Sequence, residues 1–238
     1  IWFQINNGIQ FIPIGKEFET GELENSWLVS RQRLISKGNS DSQSINVKQS
    51  SSYGLGENQF RLTGHYLETT AKDTTSARNW DLGVRYERFL LSDFSVFLAQ
   101  NIESDIFAGF IQRYNTDVGG KYSILKDKNY YWNVEGGYRY TIQNSNDGSQ
   151  KSIHFLRFYT EASRSWNKNF STKYWLELLP NLSELAGYRI NSELSISSIL
   201  TSIFSIKSSY GLRFNNSPVN GVTNKLDSAF LTALVAKY

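Results

Sequence analysis

From about Ser26 to the last residue, apolar and polar side chains alternate with period two. The segment 80–90 is the clearest case. Trp80, Leu82, Val84, Tyr86, Arg88 and Leu90 line one face, and Asp81, Gly83, Arg85, Glu87 and Phe89 line the other. The same reading separates Tyr114, Val118, Tyr122 and Ile124 from Arg113, Asp117 and Lys121, and Trp132, Val134, Tyr138 and Tyr140 from Asn133, Glu135 and Arg139. Side chains on a strand point to alternate faces, so this pattern predicts β-structure throughout. Strands are expected at about 26–36, 42–54, 59–70, 78–91, 94–106, 111–125, 130–143, 152–166, 170–180, 186–197, 202–215 and 225–238. That makes about twelve strands in an all-β, antiparallel arrangement.

Each predicted strand is long enough to cross a bilayer at a tilt, which takes about 9–11 residues. Tight connections such as Gly54 to Asn58 and Ser92-Asp93 alternate with longer ones at Thr70 to Arg78, Gln143 to Lys151, Pro180 to Leu185 and Asn215 to Asn224. Short periplasmic turns and longer extracellular loops are the outer-membrane barrel pattern. The last thirteen residues, Leu226 to Tyr238, read as a closing strand with a mostly apolar face ending on an aromatic residue. Residues 1–23 read as an N-terminal periplasmic segment or hairpin around Asn6-Asn7-Gly8, and 24–238 as the barrel.

Periodicity does not say which face is inside. A soluble barrel would turn the apolar face inward; a membrane barrel would turn it to lipid. The aromatic positions choose between them. On the apolar face Tyr122, Trp132, Trp166, Phe170, Phe204 and Tyr238 collect at the short-turn ends of the strands. Trp80, Tyr114, Tyr140 and Phe214 collect at the long-loop ends. Two aromatic belts flanking an aliphatic band are what a bilayer with two headgroup regions selects. A transmembrane β-barrel is therefore expected.

Composition agrees with this fold. There are 25 basic and 22 acidic residues, a balance too even for a nucleic-acid partner. Without Cys, and with two His, thiol chemistry is excluded and no cofactor or metal site is expected. No apolar run is long enough for a transmembrane helix. The chain begins at Ile1 and contains no Met, and is read as a mature or trimmed product.

With the apolar face outward, parity places Arg85, Glu87, Glu103, Asp105, Arg113, Asp117 and Glu135 in the lumen. It adds Arg139, Arg157, Glu161, Glu177, Arg189, Glu193 and Arg213. Their signs interleave, which predicts a self-satisfying network that stiffens a narrow barrel rather than a single-sign selectivity ring. No catalytic residue is predicted. An outer-membrane phospholipase would pair a lipid-face Ser with a His, but two residues beyond His154 stands Leu156, and His65 has lumen parity.

The first two strands have weak outward faces, read as Leu28, Ser30, Gln32 and Leu34, then Ile45, Val47, Gln49 and Ser51. Polar groups in hydrocarbon are costly unless paired, so Ser30, Gln32, Val47, Gln49 and Ser51 are expected to contact a second subunit. Such a barrel would sit in the bacterial outer membrane, touch phospholipid and lipopolysaccharide, and need the barrel-assembly machinery for insertion.

Several motifs resemble those of the salt-induced outer-membrane proteins, domain-of-unknown-function family 481. They are Ser36-Lys37-Gly38-Asn39-Ser40-Asp41, similar to that family's Ser-Gly-Asn-Thr-Asp turn, and Glu103-Ser104-Asp105 with Arg113-Tyr114. Gly119 to Tyr122, Glu135 to Arg139, and Ser217-Pro218 with Lys225-Leu226-Asp227 complete the set. Lys37 before Gly38 and Gly120-Lys121 are small departures. The resemblance covers about 26–238 and implies an outer-membrane barrel and a homo-oligomeric ring enclosing lipid; it implies no established reaction. A structural, lipid-organising role is the expectation; a porin-like diffusion channel for small solutes is the alternative.

Overall fold

A computed structural model of the chain describes residues 23–35, 41–71, 74–184, 186–201, 204–218 and 224–236. Expectations for 1–22, for the turn 36–40 and for Tyr238 lie outside these residues. Twelve strands follow in chain order. The first six are β1 (Leu23–Ile35), β2 (Asp41–Leu55), β3 (Asn58–Ala71), β4 (Thr74–Phe89), β5 (Phe94–Asp105) and β6 (Phe110–Lys126). The rest are β7 (Tyr130–Ser145), β8 (Gln150–Ser165), β9 (Phe170–Pro180), β10 (Tyr188–Ile199), β11 (Phe204–Asn215) and β12 (Leu226–Ala236).

Every strand pairs antiparallel with its chain neighbours, in the order β1 to β12. Such a meander needs only hairpins, and among the described residues no crossover or helix interrupts the alternation. β1 and β12 also approach one another. The sheet is thus curled into a near-barrel, and among the described residues its hydrogen-bonded ladder runs only from β1 to β12.

Burial on the two faces is inverted relative to a soluble protein. On the outward face Leu98 is 55% and Val118 53% exposed, whereas inward Glu87 is 2% exposed. Leu62, Leu82, Val84, Phe158 and Leu194 continue the exposed apolar surface, far more extended than the patches that soluble monomers leave bare. Inward-facing Phe97, Phe110, Phe155, Leu179 and Ala233 are buried apolar residues among the charges.

Two connections differ from expectation. The stretch Thr70 to Arg78, expected as a long loop, is mostly strand: β3 runs to Ala71 and β4 starts at Thr74. Likewise β7 runs to Ser145 and β8 starts at Gln150, so most of Gln143 to Lys151 is strand. Runs such as Thr69-Thr70 and Thr74-Thr75 read as loop by polarity, yet β-branched side chains fit a pleated ladder, and a bulge at Thr69/Thr70 absorbs the extra residue. Among the described residues these two connections are therefore shorter than expected.

Gly119 and Gly137 face each other across β6 and β7. A Cβ on Gly119 would lie 2.5 Å from the Gly136 carbonyl oxygen and 2.9 Å from the Phe97 ring. The missing side chains let Phe97 lie flat over this floor. Gly136, one position on and outward, has open space around it. Gly119→Ala should lower stability by about 1–3 kcal/mol by overpacking, and Gly136→Ala should not. Urea unfolding of both variants in lipid vesicles checks this; equal costs would contradict the close approach.

Candidate functional site

The inward face of β4 to β9 carries the densest chemistry. Because register partners share a face, Arg85, Asp117, Arg139, Arg157 and Glu177 all enter the interior from the middle of their strands. Their side chains form one continuous chain of ion pairs. The Lys121 ammonium and the Ser95 hydroxyl each donate to Glu87 Oε1 at 2.7 Å. The Arg85 guanidinium donates to Glu87 Oε2 at 2.9 Å and forks onto Glu135 at 2.9 and 3.1 Å. Arg157 continues from Glu135, at 2.6 Å, to Glu177, at 2.8 Å. Arg139 forks onto Asp117 at 2.6 and 2.7 Å and reaches Glu177 at 3.0 Å.

Four cations and four carboxylates thus neutralise one another along the wall. Charge-assisted forks of this kind are strong and geometrically specific. The Phe97 ring supports them from below, with the Arg85 guanidinium 3.9 Å and the Arg157 guanidinium 5.7 Å from its centroid.

Smaller groups flank this network. Glu161 pairs with Lys173 at 2.6 Å and accepts from the Tyr159 hydroxyl at 2.6 Å. Glu193 pairs with Lys207 at 3.2 Å and with Lys48 at 3.8 Å, linking β10, β11 and β2. His65 lies 3.2 Å from Asp81. Toward the other end, Arg113 meets Glu103 at 3.0 Å and Arg213 lies 3.9 Å from Asp105. Among the described residues Arg189 bonds only to the Gln143 amide oxygen, at 3.3 Å.

The fourteen charges expected inside are all brought to the interior, but not into one cluster. Sequence parity missed the neutral members, Phe97, Gln143 and Asn191, because parity marks charges and not the groups that position them. Lys48 shared the inward parity, yet its partner Glu193 lies eight strands away in chain order.

The described belt aromatics Trp80, Tyr114, Tyr122, Trp132, Tyr140, Trp166, Phe170, Phe204 and Phe214 occupy outward positions. Neighbours along the ladder bring them together: Tyr66 stands opposite Trp80, and Phe94 opposite Tyr122. The Tyr188 and Phe214 rings lie 5.6 Å apart. His154 sits in the outer belt, where the Tyr138 hydroxyl bonds to its Nδ1 and the Tyr140 ring lies 5.1 Å away. Its backbone N–H donates to Ser183 Oγ, which is not a nucleophile–base contact. Among the described residues no three metal-ligating side chains come together.

One expectation is corrected by register. Ser30 stands opposite Asn46 and Gln32 opposite Ser44, whereas Val47 and Gln49 stand opposite Val29 and Trp27. Ser30 and Gln32 therefore have the parity of the inward face, and only Val47, Gln49 and Ser51 belong to the outward one. Both faces of β1 are mixed, so its own alternation could not select a parity. The Gln49 amide also donates to Ser51 Oγ, pairing two outward polar groups within one strand.

An antiparallel meander curled on itself, apolar outside and charged inside, defines the β-barrel-like class of proteins. Residues 34–238 match the model described as "Protein of unknown function, DUF481", and the chain belongs to that family. No curated protein matches. A NanC porin structure superposes with TM-score 0.55 at 13% identity, covering 89% of this chain and 99% of that one. That is a likeness of fold. A bacterial polysaccharide outer membrane secretin gives TM-score 0.46 at 7% identity over 89% of this chain and 78% of its own, too low to bear on the fold.

Proposed function

We propose that this protein is a non-enzymatic outer-membrane β-barrel that closes in the bilayer and passes small solutes through its interior. The observation that carries the reading is the inversion of the two faces. Charged side chains are buried inside while Leu98, Val118 and their neighbours are exposed outside. In water this arrangement would expose apolar surface with nothing to cover it; in lipid the outward face is in its preferred solvent. The porin-like fold supports a conducting interior.

The course of the ion-pair network supports it as well. The network follows the wall from β4 to β9. Small side chains occupy several inward positions of the remaining wall, beside the Glu193, Lys207 and Lys48 group: Ser50 stands opposite Thr63, Ser195 opposite Ser209 and Gly211 opposite Ala229. A narrow aqueous path along that side fits these positions. Purified protein in planar bilayers should give small, stepwise conductance. A barrel that inserts and gives no current would overturn the channel reading.

A homo-oligomeric ring that organises lipid is the second reading. Its support is the polar outward pair Gln49 and Ser51 on β2. Gln49→Leu should then reduce the detergent-resistant multimer, measured by native mass; an unchanged mass distribution would remove this reading.

A further inference from the structure

The arginines of the interior differ in how many carboxylates each binds. Arg85 and Arg139 each bind two carboxylates and Arg157 three. Arg189, also inward and near the long-loop end of β10, has among the described residues only the Gln143 amide oxygen, at 3.3 Å. Arg113 donates to the same oxygen from Nε at 3.0 Å and from Nη2 at 2.7 Å. Two guanidiniums therefore converge on one neutral acceptor. Glu103, 3.0 Å from Arg113, is the carboxylate bound directly to this pair.

Both guanidiniums are held in place by rings behind them. Arg113 lies 3.6 Å from the Phe110 centroid and Arg189 4.9 Å from that of Phe155. Those rings are 3% and 1% exposed, so they act as rigid supports. The arrangement has one more positive than negative charge; Arg113 is taken up by Gln143 and Glu103, while Arg189 uses one donor on an uncharged oxygen and keeps the others for a carboxylate. At the same level the Arg213 side chain is 57% exposed, so this end of the interior is reached by solvent.

We infer that Arg189 and Arg113, converging on Gln143 at the long-loop end of the lumen, form a binding site for a small organic carboxylate. The excess of a single positive charge matches a monoanion better than a dianionic phosphate. The site deepens the channel reading and rests on it for its role, as the place where an acidic solute first binds on its way through.

The test separates binding from conduction. Saturation-transfer NMR on the detergent-solubilised protein, with acetate as probe and acetamide as neutral control, should show saturable binding of acetate only. Arg189→Gln should weaken acetate at least about tenfold, the loss of one charge-assisted contact. Gln143→Glu keeps both arginines and supplies an internal carboxylate, so it should abolish acetate binding without unfolding the barrel. Acetate bound equally well by both variants, or acetamide bound as well as acetate, would overturn the site. Conductance in bilayers with no saturable acetate binding would sink the site and leave the channel. Acetate binding without conductance would keep the site and sink the channel.

Discussion

Replacing Glu177 by alanine is expected to cost the folded barrel about 3 kcal/mol, at the lower end of the range for breaking a buried ion pair. Glu177 accepts from Arg157 at 2.8 Å, from Arg139 at 3.0 and 3.4 Å, and from the Asn191 amide at 2.9 Å. Its removal strands parts of two guanidiniums in an interior where the carboxylate itself is 11% exposed. The cost stays at the lower end because Arg139 keeps Asp117 and Arg157 keeps Glu135. Unfolding by urea from lipid vesicles measures it. Adding Arg139→Ala should recover part of the loss, since it removes one of the stranded charges, and that non-additivity identifies coupling rather than general damage. A cost below about 1 kcal/mol would mean that water screens the network as it does surface pairs.

Leu98→Arg should cost about 2–4 kcal/mol, the price of a charge on the lipid face near the bilayer midplane. Leu98 is central in β5, opposite Tyr86 on one side and Val118 on the other, and 55% exposed. On a soluble sheet the same substitution would be close to neutral, because an exposed Arg is at home in water. The experiment therefore tests the solvent of the outer face directly. Its neighbour Ala99 faces inward, and Ala99→Ser, placing a hydroxyl among polar groups, should change stability by less than about 0.5 kcal/mol. If Leu98→Arg is equally mild in vesicles, lipid does not cover this face.

Much of the fold was legible from alternation alone. The strand pattern through 80–90 set both the parity of β4 and the inward direction of Arg85 and Glu87, because a one-residue slip would exchange the two faces. The aromatic positions carried the expectation of a lipid-facing wall for a related reason: Trp80 and Tyr122 mark depth along their strands as well as face. The loops between strands were less legible. Thr-rich ends such as 68–71 and 74–76 look polar, yet they extend the ladder, since hydrogen bonding near a hairpin tip depends on pairing and not on hydropathy. In β1 the two faces are alike, so only the register opposite β2 decided that Ser30 and Gln32 share the inward parity.

The sequence by itself determined an antiparallel meander, its inverted faces and the set of inward charges, because each is a period-two property of neighbouring residues. Only the tertiary structure decided which charges meet. Arg85 reaches Glu135 across three strand spacings, over a floor made possible by Gly119 and Gly137. Arg189 is left with an amide oxygen instead of a carboxylate. Such partnerships depend on curvature and strand stagger, which bring together residues far apart in the chain, and alternation along a single strand carries no record of them.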